Sequence, residues 1–492
     1  MVAPFLRRSS RIALFASAAF AAAVAPAINA QSPVVIRNVT TVDVQTGNVR
    51  PAQTVVVEGT RIKAVGNAAD LAAPKGARIV DATGKFLIPG LWDMHVHATG
   101  PGVDRLFLPV LVANGVTGVR EMFGTFKWYA DARQMAKRGE IVMPRLVGSG
   151  HILDGKPQIW QSVEVADAAQ TRRAVDSLAR GGAAFIKVYS RLTPEEFRAA
   201  ADEAKKRGLT FAGHVPTLVS VDEALSLGMA SVEHLQMFTT ACSSQEEAFR
   251  SALLDAVASP KGWDSAAVIQ RLQLPMLPRT FDQNRCTALA KRVAASNTWM
   301  VPTVVVLHST SHLDEPSLQN DPRLQYIPGF FKTGWNPTND FRFKAVTPEG
   351  WAARKRIFDE QLGILKILHD AGAKFLAGTD LSNPYLYPGF SLYDELAYFT
   401  KNGFSNLEAL QTATINPARF LNATDSLGTI AEGKLADLVV LDANPLVDIG
   451  NIARVHAVIA NGVLIDAGRR QQILKDAVSL ANRPSGGRRG GG

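Results

Sequence analysis

Cysteine is almost absent from this 492-residue sequence, which contains only Cys242 and Cys286. At most one disulfide is therefore available, and a fold held together by several disulfides is excluded. Charged residues make up 20% of the chain and hydrophobic residues 47%. This balance is typical of an ordinary globular protein and excludes general disorder. The length is sufficient for one large domain with a smaller companion.

The N-terminal apolar run, residues 12–24, is too short to span a membrane comfortably. It follows Arg7, Arg8 and Arg11 and precedes small residues that end at Ala30. This order is typical of a secretory signal peptide, so residues 1–30 are predicted to be cleaved during general secretion. We expect an exported protein, periplasmic or secreted, with no stable membrane anchor after cleavage. An uncleaved N-terminal anchor is the open alternative.

Basic residues are not gathered into a nucleic-acid-binding surface, although the formal net charge is +9. Part of this charge lies in the Gly/Arg-rich tail, for which we expect disorder. The body of the chain contains no basic helix and no basic strand interleaved with aromatic residues. We therefore expect no nucleic-acid partner.

Short β-like runs occupy both ends of the mature chain. They are separated by Gly, Asn and Asp in residues 33–87, and they return in residues 436–442 and 455–466, where Asn461-Gly462 predicts a hairpin turn. We predict that residues 31–89 and 422–470 fold together into one small β-sandwich domain. Residues 471–492 are predicted to form a C-terminal helix and a disordered tail.

The middle of the chain, residues 90–421, alternates short apolar strands with amphipathic helices. The predicted strands are residues 92–97, 116–121, 145–150, 185–190, 210–215, 231–235, 300–306 and 374–380. Eight strands with helical crossovers predict an α/β fold, a (β/α)₈ TIM barrel whose site lies at the carboxyl ends of the strands.

Two segments exceed what a barrel needs, residues 238–298 and 307–350. The second is rich in proline, asparagine and aromatics and is predicted to be an irregular lid or binding element. For the first, a lid and a peripheral decoration both remain open.

Side chains able to bind a metal occur at the ends of five predicted strands. They are His95, His97, Lys187, His214, His234 and Asp380. Residues i and i+2 of a strand share a face, so His95 and His97 can offer both imidazoles to one ion. A single histidine at a strand end is more often structural. Six such residues at matching positions of one barrel indicate a metal site.

These residues stand in motifs that resemble those of the metal-dependent amidohydrolase superfamily. The resemblance covers nearly the whole mature chain and rests on the six residues above and on three motifs: residues 88–97, Ile-Pro-Gly-Leu-Trp-Asp-Met-His-Val-His, residues 413–418, Ala-Thr-Ile-Asn-Pro-Ala, and residues 433–439, Gly-Lys-Leu-Ala-Asp-Leu-Val. Within the superfamily, the sequence most resembles the group related to imidazolonepropionase and the Xaa-Pro dipeptidases.

The resemblance implies two divalent metal ions. His95, His97 and Asp380 would hold one, His214 and His234 the second, and Lys187 would bridge them. Because an ammonium cannot bind a cation, Lys187 would first react with carbon dioxide to form a carbamate. Mixed histidine and carboxylate ligands suit Zn²⁺ best. An ion-paired Lys187 inside a single-metal site is the open alternative.

The resemblance also implies hydrolysis of a C–N bond in a small amide or dipeptide by a metal-activated hydroxide, with Asp380 as general acid and base. Tyr189 shares the strand face of Lys187 and is placed either to donate to the developing oxyanion or to pack at the barrel mouth. His151, after the third strand, is placed to contact substrate.

Several other residues have predicted places. Arg120 is expected to pair with a carboxylate or to face the barrel mouth. Glu233 alternates with His234 and is therefore predicted to point away from it, against the helices, with a cationic partner. The residues suggested for the cavity mouth are Trp160, Trp335, Phe330, Phe331, Tyr385, Tyr387, Arg323, Lys332 and Arg342.

Two further functions remain open. One is a single-metal deaminase or a hydrolase of cyclic amides of the imidazolone type. The other is a binding protein that uses the same scaffold without catalysis. Whether the chain forms a homo-oligomer is also open.

Overall fold

The computed structural model describes residues 32–340 and 342–483. The predicted signal peptide and the tail after Arg483 lie outside the described residues. Within the described ranges, each helix is too short or too polar to cross a membrane.

The structure contains eighteen strands in its described part. In chain order they are β1 (Val34–Val42), β2 (Val49–Glu58), β3 (Arg61–Asn67), β4 (Arg78–Asp81), β5 (Phe86–Pro89), β6 (Leu91–Val96), β7 (Val116–Glu121), β8 (Arg145–Gly148), β9 (Ile152–Gly155), β10 (Ser162–Val165), β11 (Ile186–Val188), β12 (Phe211–Gly213), β13 (Ser231–Glu233), β14 (Trp299–Val301), β15 (Lys374–Phe375), β16 (Leu438–Leu441), β17 (Val455–Ala460) and β18 (Val463–Ile465).

The same part of the chain contains seventeen α-helices. They are α1 (Asp104–Ala113), α2 (Phe126–Lys137), α3 (Ala168–Gly181), α4 (Pro194–Lys206), α5 (Val221–Ser226), α6 (Phe238–Ala241), α7 (Glu246–Ala258), α8 (Trp263–Gln273), α9 (Gln283–Ala295), α10 (Val304–Ser311), α11 (Pro316–Gln319), α12 (Gly329–Trp335), α13 (Pro348–Asp370), α14 (Phe390–Lys401), α15 (Asn406–Thr412), α16 (Ile415–Phe420) and α17 (Ala467–Ala481).

Strands from the two ends of the chain pair in one mixed sheet of eight strands, in the order β18-β17-β16-β5-β1-β2-β3, with β4 beside β1. The antiparallel pair β5–β16 joins the ends and sets Ile88 opposite Val439. Inward-facing aliphatic residues such as Val34 and Ile459 are fully buried. Because the described strands form one continuous sheet, the two facing layers of a β-sandwich stay a prediction.

The middle of the chain forms two parallel sheets, β6-β7-β8 and β10-β9-β11-β12-β13-β14-β15, which confirms the α/β fold. Backbone hydrogen bonds connect the two sheets at both ends, as two examples show. Met94 N donates to the carbonyl of Ala377 at 2.8 Å, and Ala184 N donates to that of Gly148 at 3.0 Å. One closed ladder of eight strands is not formed by the described residues, so the closed barrel stays a prediction.

The helices between the parallel strands follow their amphipathic sequences. Helix α4 illustrates this: Thr193 caps its first turn and forms a reciprocal capping box with Glu196, and Pro194 occupies the first helical position. Phe197 and Ala204 recur on one face and are fully buried. The helices thereby hold the strands, and the residues at the ends of the strands, in fixed positions.

Six of the eight predicted strands are shorter than expected, and two of them lose most of their length. The strand predicted at residues 300–306 ends at Val301, because Thr303 has a left-handed backbone with φ 47° and α10 begins at Val304. The strand predicted at residues 374–380 is regular only at Lys374–Phe375, and Asp380 has φ 60°. Left-handed residues cannot continue a strand, so the chain turns at both points.

The two extra segments both contain helices. Residues 238–298 contain α6 to α9, and Cys242 and Cys286 form a disulfide within them. Residues 307–350 are only partly irregular: the segment contains the end of α10, the short helices α11 and α12 and the start of α13, and the described residues between them are largely turns. Its prolines do not prevent the helices: Pro316 stands in the first turn of α11, where the missing N–H costs nothing.

Candidate metal centre

All six predicted metal ligands line one cavity of about 480 Å³. They stand at or just after the carboxyl ends of five parallel strands: His95 and His97 at β6, Lys187 in β11, His214 after β12, His234 after β13 and Asp380 after β15. The predicted placement at strand ends therefore brings these side chains to one place.

Three of the six meet closely enough to hold one ion. Oδ1 of Asp380 lies 3.0 Å from Nε2 of His97 and 3.4 Å from Nε2 of His95. One ligand atom from each residue lies within 4.8 Å of the others. His234 approaches the same carboxylate, with Nε2 3.9 Å from Oδ2. Burial alone would raise the pKa of Asp380, but positive charge on the imidazoles of His95, His234 and His97, when these rings are protonated, lowers it overall.

Three imidazoles are held from behind through Nδ1. Nδ1 of His95 lies 2.8 Å from Glu233 Oε2, Nδ1 of His214 lies 2.8 Å from Ser190 Oγ, and Nδ1 of His234 lies 2.7 Å from Thr303 Oγ1. Partners at Nδ1 leave Nε2 of each ring for the cavity.

Burial keeps these imidazoles neutral. It lowers the pKa of His95 and of His214 well below the ordinary value, and that of His234 to about 4. A histidine binds a metal through its neutral form, so the three rings are ready to act as ligands.

Lys187 is buried among these residues, with 1% of its surface exposed. Burial lowers the pKa of Lys187 to about 8, although the negative charges of Glu233 and Asp380 act to raise it. Space for the side chain depends on Gly213, where a Cβ would lie 2.8 Å from Lys187 Cδ and 2.2 Å from the carbonyl oxygen of Val188. A lowered pKa increases the share of neutral amine, which is the form that reacts with carbon dioxide.

The two predicted catalytic residues beside the ligands differ in placement. Tyr189 lines the cavity, its ring lies 4.1 Å from that of His214, and its hydroxyl accepts a hydrogen bond from Trp160 Nε1 at 2.9 Å. His151 does not line the cavity. The centroid of its ring lies 6.4 Å from that of Phe123, and the Phe123 centroid lies 6.3 Å from that of His97. Catalytic roles for both stay predictions.

Glu233 is a residue whose place the sequence did not reveal. The prediction that it points away from His234 against the helices is wrong, because it binds His95 on the inner side of the strands. The strand ends at Glu233, and His234 has φ 61°, so the alternation of faces stops there. Its predicted cationic partner is present: Arg120 pairs with it at 2.8 Å.

Two more buried carboxylates hold the backbone around the His-x-His pair. Asp93 accepts hydrogen bonds from the amides of His95 and Thr379 and from the Thr379 hydroxyl. Glu121 accepts from the amides of Ala98 and Thr99. Burial raises the pKa of Asp93 to about 7 and that of Glu121 to about 8. The sequence signal that could have revealed these contacts is the presence of acidic residues within predicted apolar strands.

Among the suggested mouth residues, Trp160 and Arg342 line the cavity. Arg342 is bound to Asp340 and Asn383, and its guanidinium lies over the Trp160 ring at 5.5 Å. The remaining seven lie elsewhere, outside the cavity lining: Arg323, Phe330, Phe331, Lys332, Trp335, Tyr385 and Tyr387. Arg323, for example, pairs with Asp321 and Asp394.

Comparison with known proteins finds relatives of low identity over most of the chain and relatives of higher identity over a short stretch. Ochratoxinase of Aspergillus niger is 22% identical over 455 residues, which cover 80% of this chain and 78% of that protein. A dihydroorotase of Trichlorobacter lovleyi is 48% identical over 50 residues, and the match spans 10% of this chain and 11% of the dihydroorotase. The chain thus covers a small part of the dihydroorotases that it matches.

Solved structures share the fold over a larger part. A bottromycin amidohydrolase superposes with a TM-score of 0.69 and 23% identity, covering 91% of this chain and 90% of that one. A Xaa-Pro dipeptidase with bound methionine in its active site gives a TM-score of 0.62 and 19% identity, covering 89% and 100%. The sequence model of the amidohydrolase family matches residues 86–465. The chain therefore belongs to the amidohydrolase family.

Proposed function

We propose that the cavity is the active site of a metal-dependent hydrolase that cleaves a C–N bond in a small amide or dipeptide. The observation that carries the proposal is the meeting of His95, His97 and Asp380 in a cavity that three more potential ligands line. The names of two proteins with the same fold, an amidohydrolase and a Xaa-Pro dipeptidase, support this class of bond. The proposal includes the closed (β/α)₈ barrel, whose strand ends would surround the cavity.

The donors present fit a divalent ion such as Zn²⁺. Neutral imidazoles and one ionised carboxylate are its usual ligands. Asp380 Oδ1 is buried and accepts no hydrogen bond from the described residues, although two imidazole nitrogens lie beside it. A buried charged oxygen without a partner is costly, and a cation would satisfy it.

We further propose that Lys187 becomes a carbamate, and that His214 and His234 complete a second metal position with it. Its burial and its lowered pKa support this step. The alternative is a single ion held by His95, His97 and Asp380, with Lys187 as an ion-paired lysine beside it. That alternative points to a deaminase or to a hydrolase of cyclic amides.

A bound metal ion would lower the pKa of water and polarise the scissile carbonyl. Asp380 then takes the proton of the attacking water and returns it to the leaving nitrogen. Burial raises the pKa of Tyr189, so its hydroxyl stays protonated. Because this hydroxyl accepts from Trp160, its own hydrogen is available for the developing oxyanion.

The cavity walls support a substrate with one apolar and one anionic end. Phe123, Ile152 and Leu307 provide apolar surface, and the Arg342 guanidinium, which is paired with Asp340, is a cationic group of the lining. A dipeptide or an N-acyl amino acid has both features, since its free carboxylate can pair with an arginine.

The test is a screen of dipeptides, N-acyl amino acids and lactones with the wild type, His95→Ala and Asp380→Asn. We expect hydrolysis of at least one amide, reduced about 100-fold or more in both variants. His456→Ala serves as the control, because His456 faces Asp442 outside the cavity. Full activity in both site variants would contradict the mechanism, and a metal-loaded wild type that hydrolyses no amide would favour the binding-protein alternative.

A further inference from the structure

Glu233 and Arg120 form an ion pair that is completely buried next to the metal-binding residues. Oε1 of Glu233 lies 2.8 Å from Nη2 of Arg120, and neither side chain is exposed. Arg120 also donates from Nε to the carbonyl of Met94 and from Nη1 to Ser231 Oγ. The Ser231 hydroxyl donates to the same carboxylate oxygen, Oε1, at 2.5 Å. Glu233 is therefore fixed from one side by two partners.

The other carboxylate oxygen of Glu233 forms a hydrogen bond with His95. Oε2 lies 2.8 Å from Nδ1 of His95, and both groups are buried. A carboxylate is a hydrogen-bond acceptor only, so Nδ1 must carry the hydrogen. The lone pair of a neutral His95 is then on Nε2, which is the atom that faces Asp380 at 3.4 Å.

His95 differs in this respect from the other two imidazoles. Nδ1 of His214 and of His234 is held by a neutral hydroxyl, from Ser190 and Thr303. A bond to an ionised acceptor is stronger than one to a neutral acceptor, and it makes the imidazole a better electron donor to a metal.

We infer that Glu233, held in place by Arg120, is a positioning residue that fixes the Nδ1–H form and the orientation of His95 for metal binding. The inference rests on the proposed function only in that the cavity binds a metal ion. It predicts that loss of the Glu233 carboxylate weakens metal binding although Glu233 itself touches no metal.

The test measures the Zn²⁺ dissociation constant by competition with a chelator. Glu233→Gln alone leaves Arg120 as a buried unpaired charge, which threatens folding. The double variant Arg120→Met, Glu233→Met removes both charges and the hydrogen-bond acceptor of His95, and avoids this problem. We expect the folded double variant to bind Zn²⁺ about 10- to 100-fold more weakly than the wild type. The visible spectrum of the Co²⁺-loaded protein should also change, which a general loss of stability would not cause.

A matched control replaces another ion pair that is mostly buried. Arg145 and Asp437 pair outside the cavity lining, so Arg145→Met, Asp437→Asn should leave the Zn²⁺ affinity unchanged. A folded double variant at Glu233 and Arg120 with the wild-type affinity and Co²⁺ spectrum would overturn the inference. If the wild type binds no metal, the proposed function fails first, so the two failures are distinguishable.

A measurement on the unaltered protein tests the same point without any variant. In ¹⁵N-histidine-labelled, metal-free wild type, with the His95 signal assigned by its absence in His95→Ala, the imidazole should carry its hydrogen on Nδ1. A His95 signal with the hydrogen on Nε2 would overturn the inference, whatever the folding of the variants.

Discussion

The hydroxyl of Thr303 lies 2.7 Å from Nδ1 of His234, and both residues have a left-handed backbone, with φ 47° and 61°. Thr303 Oγ1 also donates to the carbonyl of Pro302 at 2.7 Å, so its hydrogen is used and it must accept from His234. Backbone strain of this kind persists where the surrounding structure holds it, and it is frequent at functional sites.

Loss of the Thr303 hydroxyl should weaken metal binding through His234. Thr303→Val keeps the branched shape but removes the acceptor, and we expect a Zn²⁺ affinity about 10- to 100-fold lower than in the wild type. Thr303→Ser keeps the hydroxyl and should stay near the wild-type value. Chelator competition measures both, and equal affinities of the two variants would argue against this role.

Arg342 should select substrates that bear a carboxylate. For an N-acyl amino acid, Arg342→Met removes charge-assisted hydrogen bonds, so KM should rise about 10- to 100-fold. For the matching neutral amide without the carboxylate, KM should change little. Arg323→Met is the control, since that guanidinium is also paired with aspartates, Asp321 and Asp394, but lies outside the cavity lining. An equal rise of KM for the charged and the neutral substrate would exclude recognition by charge.

Glu395 should make the protein less stable as pH rises. This buried carboxyl on α14 accepts hydrogen bonds from the amides of Val304 and Val305, at the start of α10. Burial raises its pKa from 4.5 to about 8, although these backbone bonds oppose the shift. The folded state therefore binds the proton more tightly than the unfolded state. The resulting stability is complete below pH 4.5 and is lost as pH rises through about 8.

Thermal unfolding from about pH 5 to about pH 9 measures this effect. Relative to the wild type, the Tm of Glu395→Gln should increase steadily with pH, because glutamine does not ionise. Glu58→Gln, at an exposed carboxylate, should show no such trend. A pH-independent difference between Glu395→Gln and the wild type would refute the assignment.

The Cys242–Cys286 disulfide should stabilise the segment that contains α7 and α8. It joins residues 44 positions apart, and a loop of this length corresponds to a stabilisation of at most about 4 kcal/mol. We expect the double variant Cys242→Ala, Cys286→Ala to have a lower Tm. A reductant should lower the Tm of the wild type but not that of the variant. Identical Tm values with and without reductant would show that the bond contributes no stability.

The positions of the potential ligands were predictable because they depend on local rules. His95 and His97 share a face through the two-residue repeat of a strand. His214 and Asp380 follow short apolar runs, and the carboxyl ends of parallel strands lie on the same side of a sheet. The structure accordingly brings these side chains to one cavity.

The supporting contacts were not predictable in the same way. The face of Glu233 depends on where β13 stops, and His234 leaves the strand pattern through its left-handed backbone. The apolar run at Val304 to Val306 fits a strand or a helix equally well. It forms a helix because Thr303 turns the chain and Glu395, distant in sequence, caps the helix start. Contacts between distant residues decide both cases.

The most direct test of the central claim measures metal content and amide hydrolysis in one preparation. Wild type is stripped with a chelator, reloaded with Zn²⁺ in the presence of bicarbonate, and assayed as ions are added. We predict that stripping abolishes hydrolysis and that activity returns in proportion to bound Zn²⁺, with a maximum at about two ions per chain that Lys187→Ala does not reach. A maximum at about one ion would support the single-metal alternative. Full hydrolytic activity in the metal-free protein would contradict the account.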